Sequence, residues 1–218
     1  LFSIAANGDV TFNPNGAFES LAVGETATTS FTYQISDGQG GTDTATVTVT
    51  VTGENDVPTA LGTVTTQAGN DAQTITPLDL SGYFTDVDAS DALTFSAGGT
   101  LPPGLSIHPT TGVVSGTLAA NASVGAPYNV VITANDGNGG SVTQSFTWNV
   151  TNPAPTANDD GFSADENDAA AVIGNAITNL AGLDSDPDGD TLSATIQTNV
   201  AGSNGGLFSI AANGDVTF

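Results

Sequence analysis

Four aspartates, Asp184, Asp186, Asp188 and Asp190, fall at alternate positions with Gly189 among them. This is the densest acidic cluster in the chain. Two carboxylates 4 Å apart repel by ~1 kcal/mol in bulk water and ~4 kcal/mol at an effective dielectric of 20. The chain has 23 Asp plus Glu, no Lys and no Arg, for a net charge of -23. No acid therefore finds a Lys or Arg partner on its own chain, and a clustered set needs a cation from outside. Hard carboxylate oxygens suit Ca²⁺. The spacing matches the first half of an EF-hand loop, but position twelve is Thr195 instead of a bidentate Glu and no flanking helices are expected. The reading is a calcium loop of another kind, against the plainer alternative of a solvated acidic turn. A second acidic pair, Asp165 and Glu166, stands at the other end of the same segment and is a further candidate.

The remaining reactive residue types exclude more than they offer. Without cations the chain is not built for nucleic acid or for direct insertion at an anionic membrane. Cys and Met are absent, which removes disulfides, thiol catalysis and thiolate metal sites. His108, the single imidazole, lies at a turn before Pro109 with no second His or Cys, and reads as a surface residue. The acids lie in turns and linkers instead of a cleft, so paired-carboxylate hydrolysis and a Ser–His–Asp arrangement are not supported. The chain is not expected to be an enzyme. The Gly-rich loops are not phosphate loops, since no Lys follows and no helix begins there. Trp148 alternates with Phe146 and Val150 and is expected in a core.

The elements that position these acids are strands. Ser30–Ile35 and Ala45–Thr52 alternate with period two and are rich in Thr, Val and aromatics. Between them Asp37-Gly38-Gln39-Gly40-Gly41 forms a hairpin loop. Short strands are expected near Gln73–Ile75, Ala92–Ser96, Leu105–His108, Gly112–Gly116, Tyr128–Ala134 and Val142–Val150, spaced as in a β-sandwich. Asp136-Gly137-Asn138-Gly139-Gly140 repeats the chemistry of the Asp37 loop. Ala169–Asn179 is the single mild helix candidate. Pro-containing linkers lie at Gly53–Ala60 and Asn152–Ala157.

The dodecamer LFSIAANGDVTF occurs twice, as Leu1–Phe12 and Leu207–Phe218, which sets a 206-residue tandem period. Three units are expected: residues 1–55 as the C-terminal half of one sandwich, 56–153 as a complete sandwich, and 154–218 as the N-terminal half of the next. The fold class is all-β, tandem Ig- or cadherin-like sandwiches in an extended rod.

Pro14–Phe18, Gly24–Ala27, Phe31–Thr42 and Ala45–Asp56 resemble the VCBS-type repeats of giant bacterial surface proteins. Leu101–Ile107 followed by Thr110–Thr117 is similar to the dystroglycan-type cadherin-like domain. Such domains occur in tandem in RTX adhesins and biofilm proteins, as calcium-stiffened extenders. The resemblance implies calcium ligands from an Asp-x-Asp loop, from the last hairpin and from the linker before it. In the middle unit these positions are Asp86, Asp88 and Asp136, with Glu54, Asp56 and the carbonyl ligand Asn55. In the last unit they are Asp184 and Asp186, with Asp190 and either Asp159 or Asp160. Its hairpin ligand is the equivalent of Asp37 one period later. Asn152-Pro153-Ala154 departs from the pattern by lacking the acid found at Asp56. The resemblance implies an extracellular extender of a bacterial surface adhesin, with neighbouring repeats or like subunits as partners. A self-assembling head-to-tail filament and a carbohydrate- or protein-binding module are the alternatives.

Overall fold

The computed structural model describes residues 2–98, 100–166, 170–179 and 182–218. Every regular element among them is a strand, apart from two one-turn 3₁₀ segments at Ser81–Tyr83 and Ala122–Gly125. In the first segment, β1 (Phe2–Ile4) and β2 (Val10–Phe12) make a hairpin, and β3 (Thr26–Ser36) and β4 (Thr42–Thr52) make a longer one. β3 and β4 pair from Thr26↔Thr52 to Ser36↔Thr42 without a bulge, as their alternation predicts. The pair forms a two-stranded sheet. Phe2 stacks between Phe12 and Phe31, at centroid distances of 4.7 and 4.6 Å, and ties the short hairpin to the long one.

The middle segment holds β5 (Thr59–Ala60), β6 (Gln67–Asn70), β7 (Leu78–Asp79), β8 (Phe84–Thr85), β9 (Thr94–Ala97), β10 (Leu105–Ile107), β11 (Val113–Gly116), β12 (Tyr128–Asn135) and β13 (Ser141–Thr151). One sheet runs β6-β13-β12-β9 and faces a second, β10-β11-β7; β5 and β8 close the end. Between the sheets lies one core. Leu80, Val114, Val130 and Ile132 are fully buried, and Phe146, Trp148 and Val150 pack with them from β13. Burying side chains of this size contributes about 1.5–3 kcal/mol each. Trp148 stands in the core, as its alternation indicates.

Two sequence expectations are corrected. Gln73–Ile75 is a turn and a single bridge instead of a strand: the Gln73 side chain accepts from the Asn70 amide, Ala72 takes φ 57°, and Thr74 pairs with Thr117 alone. The strand precedes it as β6, parallel to β13. The helix candidate Ala169–Asn179 contains β14 (Val172–Asn175), followed by a turn in which Asn175 Oδ1 accepts from the amides of Ile177 and Thr178. Val172 and Ile173 are β-branched and stiff at χ1, and the stretch pairs with a neighbouring strand through Val172↔Thr217, Gly174↔Val216 and Asn175↔Asp215, with an irregularity at Ile173. Ala169 itself lies outside the described residues, as do Asn167 and Asp168 of the second acidic run.

The last segment is a four-stranded sheet in the order β14, β17 (Asp215–Thr217), β16 (Leu207–Ile210), β15 (Gln197–Ala201). The second copy of the dodecamer forms β16 and β17. Its turn repeats that of the first copy bond for bond. Ala5 donates to Asp9 O at 2.9 Å and Ala211 to Asp215 O at 3.0 Å, and Asn7 and Asn213 each bond the carboxylate two residues on, at 2.7 and 2.8 Å.

Candidate metal centre

The middle segment gathers acids at the end where the chain enters it. Three pieces converge there: the linker Glu54–Asp56, the loop after β8, and the loop joining β12 to β13. The last loop wraps its own carboxylate. Asp136 Oδ1 accepts from the amides of Asn138 at 2.7 Å and Gly140 at 3.0 Å. A Cβ on Gly140 would lie 2.2 Å from Asp136 Oδ2, so the wrap requires glycine. Asn55 Nδ2 donates to Asp136 Oδ2 at 3.0 Å. That bond and the two loop amides hold the Asp136 carboxyl below the usual carboxylate range. In the loop after β8, Asp86 Oδ1 accepts from the Asp88 amide at 3.1 Å, and Asp88 Oδ2 from the Asp56 amide at 2.8 Å. The linker is thereby sewn to the sandwich through Asn55 and Asp56.

These bonds use Asn55 Nδ2, Asp86 Oδ1 and Asp88 Oδ2 and leave one oxygen on each of the three side chains. Asn55 Oδ1, Asp86 Oδ2 and Asp88 Oδ1 are buried without a hydrogen-bond partner, and Asp88 is 2 % exposed. Carboxylate oxygens of Asp86, Asp91 and Asp136 lie within 4.8 Å of one another. A buried unsatisfied polar group destabilises by about 1–3 kcal/mol, and by more when it is charged. With no Lys or Arg in the chain, a protein cation cannot relieve this set. The donors are all oxygen and mostly anionic, so the set fits a hard divalent ion. Asp91 and Glu19 are absent from the sequence reading. Asp91 is held by Asn138 Nδ2, which donates to its two oxygens at 3.1 and 2.9 Å. Glu19 lines one open cleft with Glu54, Asn55 and Asp56. Glu54 is exposed, and its place is in that cleft instead of the buried cluster.

The last segment brings Asp186, Asp188 and Asp190 within 4.8 Å. Asp186 Oδ1 accepts from the amides of Asp188 at 3.1 Å and Asp190 at 3.2 Å. The Asp186 and Asp188 carboxyls face one another, and sharing a proton between them lowers the Asp186 carboxyl and, with burial and the nearby charges, pushes Asp188 up to about 6. Asp188 Oδ2 is buried without a partner. Asp184 is turned to the linker, where its Oδ1 accepts from the Asn158 amide at 2.8 Å. Asp160 Oδ1 and the Asp159 carbonyl lie against Gly182. Asp165 and Glu166 lie on an exposed stretch. Asp37, exposed at the tip of β3–β4, accepts from the Gln39 and Gly41 amides at 2.8 and 2.9 Å, which lower its carboxyl as in the Asp136 loop.

Three family models match in succession: a bacterial cadherin-like domain over residues 1–53, an Ig domain (He_PIG) over 57–151, and a bacterial Ig domain over 152–218. The chain carries cadherin-like and Ig-like domains in tandem. Domains of these kinds are generally extracellular structural modules. No helix among the described residues is long and apolar enough to cross a membrane. No curated protein matches the chain. Among solved structures it is similar to the extracellular cadherin domains 1–4 of protocadherin gamma B7 (15% identity, TM-score 0.47, 100% of this chain and 54% of that one). It is also similar to mouse cadherin-23 EC22–24 (20%, 0.46, 86% and 62%) and to Drosophila N-cadherin EC1–4 (16%, 0.39, 81% and 44%). The chain spans about half the length of these structures.

Proposed function

We propose that the tandem domains form a structural extender of a secreted bacterial surface adhesin of the RTX type, with VCBS-like units, stiffened by Ca²⁺ at the junctions between domains. Residues 1–55 and 154–218 are taken as the back and front halves of one kind of sandwich, and 56–153 as a whole one between them. The observation that carries the calcium reading is the trio of buried, unpartnered oxygens on Asn55, Asp86 and Asp88, set beside Asp91 and Asp136 in a chain without cations. Asn55, Asp86, Asp88, Asp91 and Asp136 would hold the ion, with Asp56 and Glu54 on the linker side. Asp186, Asp188 and Asp190 would hold another, completed by the loop equivalent to Asp37. Calcium supplies positive charge that turns mutual repulsion into a shared attraction. The residues do the rest. Asn55 and Asp56 already bind the linker to Asp136 and Asp88, and the Asp88 loop reaches the first segment through the Ala89 amide, which donates to Ser20 O at 3.3 Å.

Extracellular calcium modules bind in the range of roughly 10⁻⁴–10⁻³ M. At an ion concentration about tenfold above Kd, each site adds roughly 1.4 kcal/mol. The test is a thermal melt of the chain in millimolar calcium and again in chelator, paired with solution scattering. A higher midpoint together with a longer, stiffer particle in calcium supports the function. Equal melts and equal dimensions exclude it, and the acidic loops are then solvated turns.

A further inference from the structure

The middle domain is an internal template for the long hairpin of the first segment. β3–β4 and β12–β13 correspond residue for residue through the Asp37 and Asp136 loops: Phe31↔Val47 stands where Val130↔Phe146 does, and Tyr33, Ile35 and Val49 stand where Ile132, Ala134 and Trp148 do. Their surroundings differ. Ala134 is fully buried, while Ile35 is 60 % exposed. β12 has a partner on each edge, β13 and β9, while β3 pairs with β4 alone. Between the β3–β4 pair and the short hairpin an open cleft is lined by Tyr33, Gln34, Ile35 and Ser36 of β3 and Val47 of β4 on one side and by Ile4 and Ala6 on the other.

In the middle domain the equivalent space is filled by β9. It pairs with β12 from Ile132↔Ala97 to Asn135↔Thr94, and on its other side the Phe95 amide donates to Pro109 O of the β10–β11 turn at 2.7 Å. The last segment contains the counterpart of β9. Asp190-Thr191-Leu192 follows the acidic loop as Asp91-Ala92-Leu93 does. The Ala194 amide donates to Ala212 O of the β16–β17 turn at 3.0 Å, the same bond at the same place. Residues 191–196 nevertheless have no strand partner, and Ile196 is 68 % exposed. Ala212 is the repeat of Ala6, which lines the cleft. One half thus has the filler segment bonded to the hairpin turn without its β3, and the other has β3 and the hairpin without the filler.

We propose that the cleft beside β3 is the seat of residues 191–196 of a second copy of this sequence, the two copies sharing one LFSIAANGDVTF hairpin. The pairs are Tyr33↔Ile196, Gln34↔Thr195, Ile35↔Ala194 and Ser36↔Ser193, and the Ala194 amide meets the alanine carbonyl of the shared turn. The copies overlap because two separate hairpins would claim one position. The proposal rests on the reading of the chain as a repeating unit, and it uses backbone bonds and apolar contacts without a metal.

The experiment uses a polypeptide of two copies overlapping in one dodecamer. The sequence has no cysteine, so Thr195→Cys in the leading copy and Gln34→Cys in the following copy place a single pair, with both side chains on the solvent face. Mild oxidation is expected to close the disulfide within one polypeptide, read by intact mass and peptide mapping. Thr195→Cys with Ser30→Cys, four residues along the same strand face, is expected to close at least tenfold more slowly. Equal rates, or no closure in the first pair, overturn the proposal. Hydrogen exchange on the unsubstituted polypeptide gives a second reading: the peptide over residues 33–36 should split into a fast and a slow population of equal size. A single fast population, as is expected of the 218-residue chain, overturns the pairing. Closure without a calcium-dependent melt keeps this pairing and removes the calcium function. A calcium-dependent melt without closure does the reverse.

Discussion

At the scale of single residues, Asp88 combines burial, a linker bond through one oxygen and an unpartnered second oxygen. Asp88→Asn keeps the shape and removes one charge. It is expected to weaken calcium binding at the junction by about tenfold or more, because a unit charge at 4 Å is worth ~1–4 kcal/mol across the water-to-surface range and 1.4 kcal/mol is tenfold. Asp91→Asn should do nearly as much, and calorimetric titration checks both. The acidic loops respond to acid in two opposite senses. Asp136 and Asp37 titrate below their ordinary value of 3.8, so the stability they contribute is present above that value and is lost as the pH falls below it. Asp188 titrates at about 6, so its contribution in metal-free protein is present below 3.8 and is lost as the pH rises through about 6. Calcium must displace that proton, so binding at the Asp186–Asp190 loop is expected to weaken below pH 6 and to release protons, seen as a buffer-dependent heat. Asp86, Asp88 and Asp136 are reached from the sequence through the family resemblance, which maps ligands onto an Asp-x-Asp loop and a Gly-rich hairpin, and the fold brings these three together. Asp91 is not, because its place depends on Asn138, which is distant in sequence and near only in the fold.

At the scale of elements, the long strands could be read and the short ones could not. β3, β4, β12 and β13 each run long enough for period-two alternation to repeat. β5, β7 and β8 are two residues each, too short for any period, and their pairing is decided by what lies across the sandwich. The misread stretch at 169–179 shows the same competition: its alanines favour helix weakly, and the hairpin alongside offers Val172, Gly174 and Asn175 a strand to pair with. Packing separates the two similar hairpins energetically. Ile132→Ala, in the closed core, is expected to destabilise the middle domain by about 2–5 kcal/mol. At about 4–8 °C per kcal/mol for a domain of this size, calorimetry should show a large fall in its midpoint. Tyr33→Ala, the matching change on β3, should leave that transition unmoved.

For the whole molecule, a charge of -23 with no opposing cation governs behaviour before any site is filled. In chelator, raising NaCl from low to molar concentration should raise the melting midpoint, since screening relieves repulsion with no Lys or Arg salt bridge to weaken. Circular dichroism melts across a salt series check the sign. Saturating calcium should flatten that dependence, because the largest local repulsions are then already neutralised.

The repeated hairpin has one more consequence. Its turn makes the same bonds whether β3 or β14 lies beside it, so its geometry belongs to its twelve residues and travels with them. Genetic crossover between two such stretches would delete or insert a whole period and rejoin an unaltered turn. A lineage could then lengthen or shorten its fibre in fixed steps while every seam stays intact.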